Sequence, residues 1–294
     1  MTFQEFIDHS WKIHAKETET VFQTLHTASE RVTTNDDIVL LARLITHICG
    51  DHYLQNWKKG VELLSNLKTH SQFKAKTDSE IAVNRSIAIL KKSAGQSVDL
   101  SDFSISDQTR VYAQTAGIMI EHKNFENGEA CFDQAIKLSE QLNPANKTEP
   151  AFRAIGITTN NVTCTLEEKT DRAAPQTQFM IKTSLANLKF WGLAGQASDV
   201  NEGQYRLSNS YLQAGQFALS LEWAQNCVAH AQENALGLFY DFYATEMLVM
   251  SQAKLGNSAE VQKNKLRLRE IFEKLTTEEK AKTEKTLQKI EAIN

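Results

Sequence analysis

Apolar side chains recur every three to four residues through almost the whole chain, and this spacing constrains the fold more than any other feature. The strict apolar–polar alternation of strands is nearly absent. Only 3 prolines and 12 glycines occur among 294 residues, which is few for a chain with many turns between strands. The sequence therefore predicts an all-α protein, and its 41% apolar content is enough for a sizeable core.

The clearest local pattern lies between Tyr205 and Ala229 and predicts two helices joined by a tight turn. Leu207 and Tyr211 lie on one face of the first helix. Gly215 ends that helix, because a residue without Cβ adopts the left-handed conformation at least cost. The second helix starts near Phe217. Small residues stand where two such helices would cross closely: Ser208, Ser220, Ala224 and Cys227.

Two short motifs in this stretch resemble the tetratricopeptide repeat. Leu207-Ser208-x2-Tyr211 takes the place of Leu-Gly-x2-Tyr, and Ser220-x3-Ala224 takes the place of Ala-x3-Phe. In an earlier hairpin, Gly128-x3-Phe132 matches the second motif better. The resemblance implies a right-handed superhelical stack of antiparallel helical hairpins, a TPR-like α-solenoid, whose first helices line a concave face.

The repeats are predicted to be long. Their equivalent turns, at Asn124, Asp171, Gln216 and Asn257, are spaced more widely than the family's usual period of about 34 residues. The sequence predicts four segments along the chain: N-terminal hairpins with a weak repeat signature (1–94), an internal loop lying on the core (95–106), TPR-like repeats (107–275) and a polar capping helix (276–294). The first segment is predicted to begin with one long helix over 3–30. The capping helix starts with the capping box Thr276-x-x-Glu279.

Composition argues against several classes of partner. The net charge of −4 comes with no dense basic stripe, so a nucleic-acid partner has little electrostatic support. No apolar run approaches the roughly 18 residues that a membrane span needs. The N-terminal stretch carries Glu5 and Asp8 and has no apolar signal region, which favours a cytoplasmic location. The four cysteines are far apart and are predicted to be buried, reduced thiols: Cys49, Cys131, Cys164 and Cys227.

Catalytic and metal-binding motifs are not apparent in the sequence. No nucleotide-binding glycine loop or nucleophile elbow occurs, so the sequence predicts no enzyme and no cofactor. His9 and His14, like His47 and His52, are five residues apart. On an α-helix that spacing separates side chains by about 140°, so no metal site is predicted. The adjacent carboxylates Glu167-Glu168 are interpreted as solvated helix charge.

The candidate site consists of side chains on the first helices that point away from their second helices. Polar and aromatic residues are mixed there, which suits a groove for an extended peptide or another protein. The alternative is an ordinary solvated surface. The set comprises Asn160, Glu167, Glu202, Tyr205, Asn209, Gln213, Tyr243 and Glu246.

These residues predict a non-catalytic scaffold or adaptor that binds a protein or peptide. The chain could also form a homodimer. Peptide-clamping tetratricopeptide domains hold a terminal carboxylate with Lys, Asn and Arg. Tyr205 and Glu246 stand here where Lys would be expected, which disfavours such a ligand. The alternative is a ligand- or peptide-sensing regulator, because long repeats resemble the sensor domains of bacterial peptide-responsive regulators. Residues 1–50 lack a basic recognition helix, so that function would need a separate effector partner.

Overall fold

A computed structural model describes residues 1–293, which form 14 α-helices and no strand. The prediction of an all-α protein is confirmed. The helices are α1 Phe3–Ile13, α2 Thr18–Ala28, α3 Asn35–His47, α4 Trp57–Leu67, α5 Asp78–Ser93, α6 Ile105–Glu121, α7 Phe125–Ser139, α8 Pro150–Glu168, α9 Ala174–Ala194, α10 Ala197–Gln213, α11 Phe217–Glu233, α12 Leu238–Lys254, α13 Ser258–Lys274 and α14 Thr277–Glu291. Short 3₁₀ segments lie at Ser29–Arg31 and Leu54–Asn56, and a π-helical turn lies at Ile48–His52.

The chain divides into two compact units. The first is Met1–Asn143, and the second starts at Pro144. In the first unit, α1 to α4 and part of α5 enclose one apolar core, which includes Phe6, Leu25, Leu41 and Leu64.

The single long helix predicted over residues 3–30 is wrong, because the chain breaks between His14 and Glu17 into α1 and α2. The hydroxyl of Thr18 donates to the His14 carbonyl across the break, at 2.6 Å. The break allows the apolar sides of both helices to reach the same core, which one straight helix could not do. The buried residues on the two helices are Phe3, Phe6 and Ile7, and Val21, Phe22 and Leu25.

The connection between α5 and α6 packs on the core, as the sequence predicted. Leu100 is buried in a small cluster with Ala88, Ile89 and Ile118. Phe103 packs against the same cluster. The apolar residues of this segment therefore hold it against the helices that it joins.

The second unit is a series of helical hairpins: α8 with α9, α10 with α11, and α12 with α13. Each helix contacts its successor, and contacts also join α8 to α10, α10 to α12 and α12 to α14. This pattern is compatible with a solenoid. The hairpin turns contain left-handed glycines, Gly215 at φ 75° and Gly256 at φ 76°, so the predicted role of Gly215 is confirmed.

The capping box of α14 is also confirmed. The Thr276 hydroxyl accepts from the Glu279 backbone N–H at 3.3 Å, and the Glu279 carboxylate accepts from the Thr276 N–H at 2.9 Å. Two otherwise unpaired donors at the helix start are thereby satisfied.

The close approach of α8 and α9 at Gly156 gives a stability prediction. A Cβ there would lie 2.9 Å from Cε3 of the buried Trp191, whereas one at Gly192 would meet nothing within 4 Å. We expect Gly156→Ala to lower the free energy of unfolding by about 1–3 kcal/mol through overpacking. We expect Gly192→Ala to raise it by about 0.5–1 kcal/mol through helix propensity. Denaturant unfolding followed by circular dichroism checks both, and a stabilising effect of both variants would contradict the tight crossing.

Candidate functional site

The structure joins six of the eight predicted site residues through direct contacts on α8, α10 and α12. Arg206 and Ser210, which the sequence analysis did not select, complete the network. We call this set the first-helix cluster: Glu167, Glu202, Tyr205, Arg206, Asn209, Ser210, Tyr243 and Glu246.

Glu167 is the buried centre of the cluster. Glu167 is only 8% exposed to solvent. One carboxylate oxygen accepts from Arg206 Nη1 at 3.1 Å and the other from the Ser210 hydroxyl at 3.0 Å. Burial raises the pKa of the Glu167 carboxyl, while the Arg206 charge and hydrogen bonds from Asn209 and Ser210 oppose that rise. The interpretation of Glu167-Glu168 as solvated charge is correct for the exposed Glu168 and wrong for Glu167.

Arg206 connects two carboxylates across the surface of α8 and α10. Besides Glu167, its guanidinium pairs with Glu202 at 3.9 Å, one helical turn earlier on α10. It also lies 5.6 Å from the centre of the Tyr205 ring. The spacing of four residues between Glu202 and Arg206 is a signal that the sequence carries. The pairing with Glu167, 39 residues away, has no local signature.

Tyr205 links α10 to α12 at the other side of the cluster. Its hydroxyl donates to the Glu246 carboxylate at 3.4 Å, and its ring lies edge-on to Tyr243, 5.9 Å between centroids. The Tyr243 ring in turn contacts Phe239, with centroids 5.1 Å apart. Aromatic pairs at these distances stabilise one another beyond simple burial. The result is a half-buried aromatic group beside a carboxyl group.

The carboxyl group of Glu246 titrates near neutral pH. Burial raises its pKa to about 7, although the Tyr205 hydrogen bond and the charges of Lys289 and Arg206 act in the opposite direction. Burial also raises the pKa of Tyr205 well above its ordinary value, so the phenol keeps its proton and remains a donor. The cluster can therefore hold both charged and neutral hydrogen-bonding groups.

The other two predicted site residues, Gln213 and Asn160, lie outside the first-helix cluster. Gln213, which is exposed, accepts from Arg172 Nη2 at 2.7 Å, and Arg172 Nη1 donates to carbonyls at the end of α8. Gln213 thus helps to hold a helix end. Asn160 is half-buried on α8, and its Oδ1 is buried without a hydrogen-bond partner among the described residues.

Two further buried polar atoms of α10 have no hydrogen-bond partner in the described part of the chain: Gln204 Oε1 and Arg206 Nε. Most buried polar groups in proteins are hydrogen-bonded, so each of these atoms has unused capacity for a ligand or an ordered water. The half-buried thiol of Cys164 is not activated as a nucleophile. Burial raises its pKa to about 11, so it stays protonated at neutral pH. A protonated thiol is a poor nucleophile.

Comparisons with known proteins give no assignment. No protein-family model matches the sequence, and a search of curated proteins finds no significant match. Within residues 1–293, no helix combines the length and the apolar character needed to cross a membrane.

Proposed function

We propose that this chain is a non-catalytic binding protein that holds a peptide or protein segment against the first-helix cluster. The observation that carries the proposal is the row of half-buried rings and carboxyl groups on three successive first helices: α8, α10 and α12. Burying charges such as Glu167 and Arg206 brings a fold little or no stability compared with apolar packing. Recognition of a partner gives a reason to keep them there.

The proposal includes the architecture that the resemblance implies, a right-handed superhelix of TPR-like hairpins with the cluster on its concave face. Two observations in the second unit support it. Left-handed glycines, Gly215 and Gly256, form the turns of two successive hairpins. First helices contact one another in order, which is the arrangement that builds a continuous binding surface in helical repeats.

The charges of the cluster favour a neutral or basic segment over a free carboxylate. The Arg206 guanidinium is engaged by both Glu167 and Glu202, so it attracts an additional anion weakly. The exposed Glu202 is available to a lysine or arginine of the partner. Tyr243 offers an aromatic surface of the kind that often dominates binding energy.

Affinity capture from a lysate of the source organism tests this function. We expect the double variant Glu202→Ala/Tyr243→Ala to capture about tenfold less of a partner that the wild type binds. Central aromatic and charged contacts carry most binding energy. The matched control is Tyr211→Ala/Glu222→Ala, which removes the same residue types from a different part of α10 and α11. Circular dichroism verifies that both variants are folded. Equal capture by both variants would contradict the proposed surface.

A ligand-sensing regulator that acts through a separate effector is the second candidate. The unsatisfied oxygens of Asn160 and Gln204 favour it, because a small ligand with N–H donors could pair with them. Native mass spectrometry of the purified chain distinguishes the two candidates: a bound metabolite favours the sensor, and a bound polypeptide favours the adaptor. A cytoplasmic location and a homodimer stay predictions from the sequence.

A further inference from the structure

The first unit contains a group of histidines that the sequence did not predict. Helix α3 continues into the π-helical turn Ile48–His52, in which the Tyr53 N–H donates to the Ile48 carbonyl at 3.0 Å, five residues back. A π turn accommodates one more residue than an α turn, so side chains five apart come to lie near one another. The ring centroids of His47 and His52 are 5.0 Å apart. The expectation that this spacing would separate the two side chains is therefore wrong.

His14 joins this pair from the end of α1. Its ring centroid lies 4.8 Å from that of His47 and 5.5 Å from that of His52. One possible ligand nitrogen from each of the three rings lies within 4.8 Å of the other two. The group forms where two irregularities meet, the break after α1 and the π turn after α3. Single π turns occur often at functional sites.

Hydrogen bonds orient two of the three rings for metal binding. His14 Nδ1 lies 2.6 Å from the Trp11 carbonyl oxygen, which can only accept, so Nδ1 carries the proton. His47 Nδ1 lies 2.6 Å from the Asp51 carboxylate and donates to it in the same way. In the neutral ring both arrangements leave Nε2 with a free lone pair. A carboxylate on the far nitrogen is the usual support of a metal-bound histidine.

Two other ring nitrogens of the group have no competing partner. His47 Nε2 and His52 Nε2 are both buried and lack a hydrogen-bond partner within residues 1–293. The three rings are half-buried, and the Trp11 ring lies 4.9 Å from that of His47. The group thus has a partly apolar wall and an opening to solvent.

We propose that His14, His47 and His52 bind one Zn²⁺ ion through imidazole nitrogens, with water in the fourth position. Imidazole donors suit Zn²⁺ and its neighbours in the transition series, whereas Mg²⁺ and Ca²⁺ prefer oxygen. Three protein ligands and an open position are the arrangement of accessible zinc sites. Zn–N bonds of about 2 Å require ligand atoms within about 4 Å of one another, so the rings move slightly closer on binding. Asp51 acts through His47 by fixing its ring.

Calorimetric titration of the untagged 294-residue chain with zinc chloride at pH 7.5 tests the site. We expect one equivalent to bind with micromolar or tighter affinity. His14→Gln should weaken binding at least about 100-fold, since loss of a ligand costs at least as much as loss of its support. Asp51→Asn should weaken it by about 10–100-fold. The matched control, His9→Gln, changes an exposed histidine of the same helix and should leave affinity unchanged.

A second readout does not depend on heats of binding. Co²⁺ in place of Zn²⁺ should give visible absorption bands in the wild type and in His9→Gln, and these bands should be lost in His14→Gln and in His52→Ala. Far-ultraviolet circular dichroism establishes that each variant is folded. Absence of binding to the wild type would overturn the proposal. Metal binding that both His14→Gln and His52→Ala retain would also overturn it, because the ion would then lie elsewhere.

Discussion

Replacing Arg206 with methionine should lower the free energy of unfolding of the second unit by about 3–5 kcal/mol at neutral pH. Methionine keeps the apolar stem but removes the guanidinium that donates to Glu167 at 3.1 Å. Glu167 would then be a buried carboxylate whose charge is no longer neutralised. Breaking a buried ion pair from one side costs much more than the pair itself contributes, because the remaining charge keeps its full desolvation penalty.

The reason for this loss can be tested by a double-mutant cycle. Glu167→Gln, added to Arg206→Met, should recover much of the stability, because the amide carries no charge to desolvate. The loss in Arg206→Met should also shrink as the pH is lowered, because burial already raises the Glu167 pKa and protonation removes the buried charge. Urea denaturation at several pH values measures both effects.

A second ion pair of the same unit provides the control. Arg269 donates to Glu291 at 2.6 Å, but the two side chains are 50% and 39% exposed. Exposed pairs contribute about 0–1 kcal/mol, so Arg269→Met should cost little. If Arg206→Met and Arg269→Met cost the same, burial of Glu167 is not the cause of the effect.

The helices themselves could be predicted because their signals are local. The second helix of the hairpin between Tyr205 and Ala229 is predicted to start near Phe217, and α11 begins at that residue. The turn at Gly215 and the cap at Thr276 follow from backbone and side-chain chemistry within a few residues. Apolar spacing likewise fixes which side of each helix is buried, without reference to the rest of the chain.

The irregular positions could not be predicted, because distant contacts determine them. No proline or glycine marks the break after α1, which tertiary packing imposes. The π turn contains Gly50, where a Cβ would lie 2.7 Å from Cδ1 of Ile118 on α6. That crowding becomes visible only when α6 is in place. The burial of Glu167 and its pairing with Arg206 could not be predicted for the same reason, since neither residue alone indicates burial.

The second large prediction concerns Glu246 and the pH dependence of stability. Its pKa is about 7 in the folded chain, against an ordinary value of 4.5. The folded state therefore holds a proton that the unfolded state has already released between these values. Stability from this group is present below pH 4.5 and is lost as pH rises towards 7. At about 1.4 kcal/mol per pKa unit, the full loss is about 3 kcal/mol.

Glu246→Gln should remove this loss, because the amide has no charge to desolvate and its oxygen still accepts from the Tyr205 hydroxyl. We expect the variant to be more stable than the wild type by about 2–3 kcal/mol at pH 8 and nearly equal to it at pH 4.5. Urea denaturation across this range measures the difference between the two chains, which cancels the titration of all other groups. Glu270→Gln, on the exposed side of α13, should show no such trend. A constant difference for Glu246→Gln at every pH would mean that the carboxyl has the same pKa in the folded and unfolded chains. The surface between Tyr205 and Tyr243 would then present a negative charge to any partner at neutral pH.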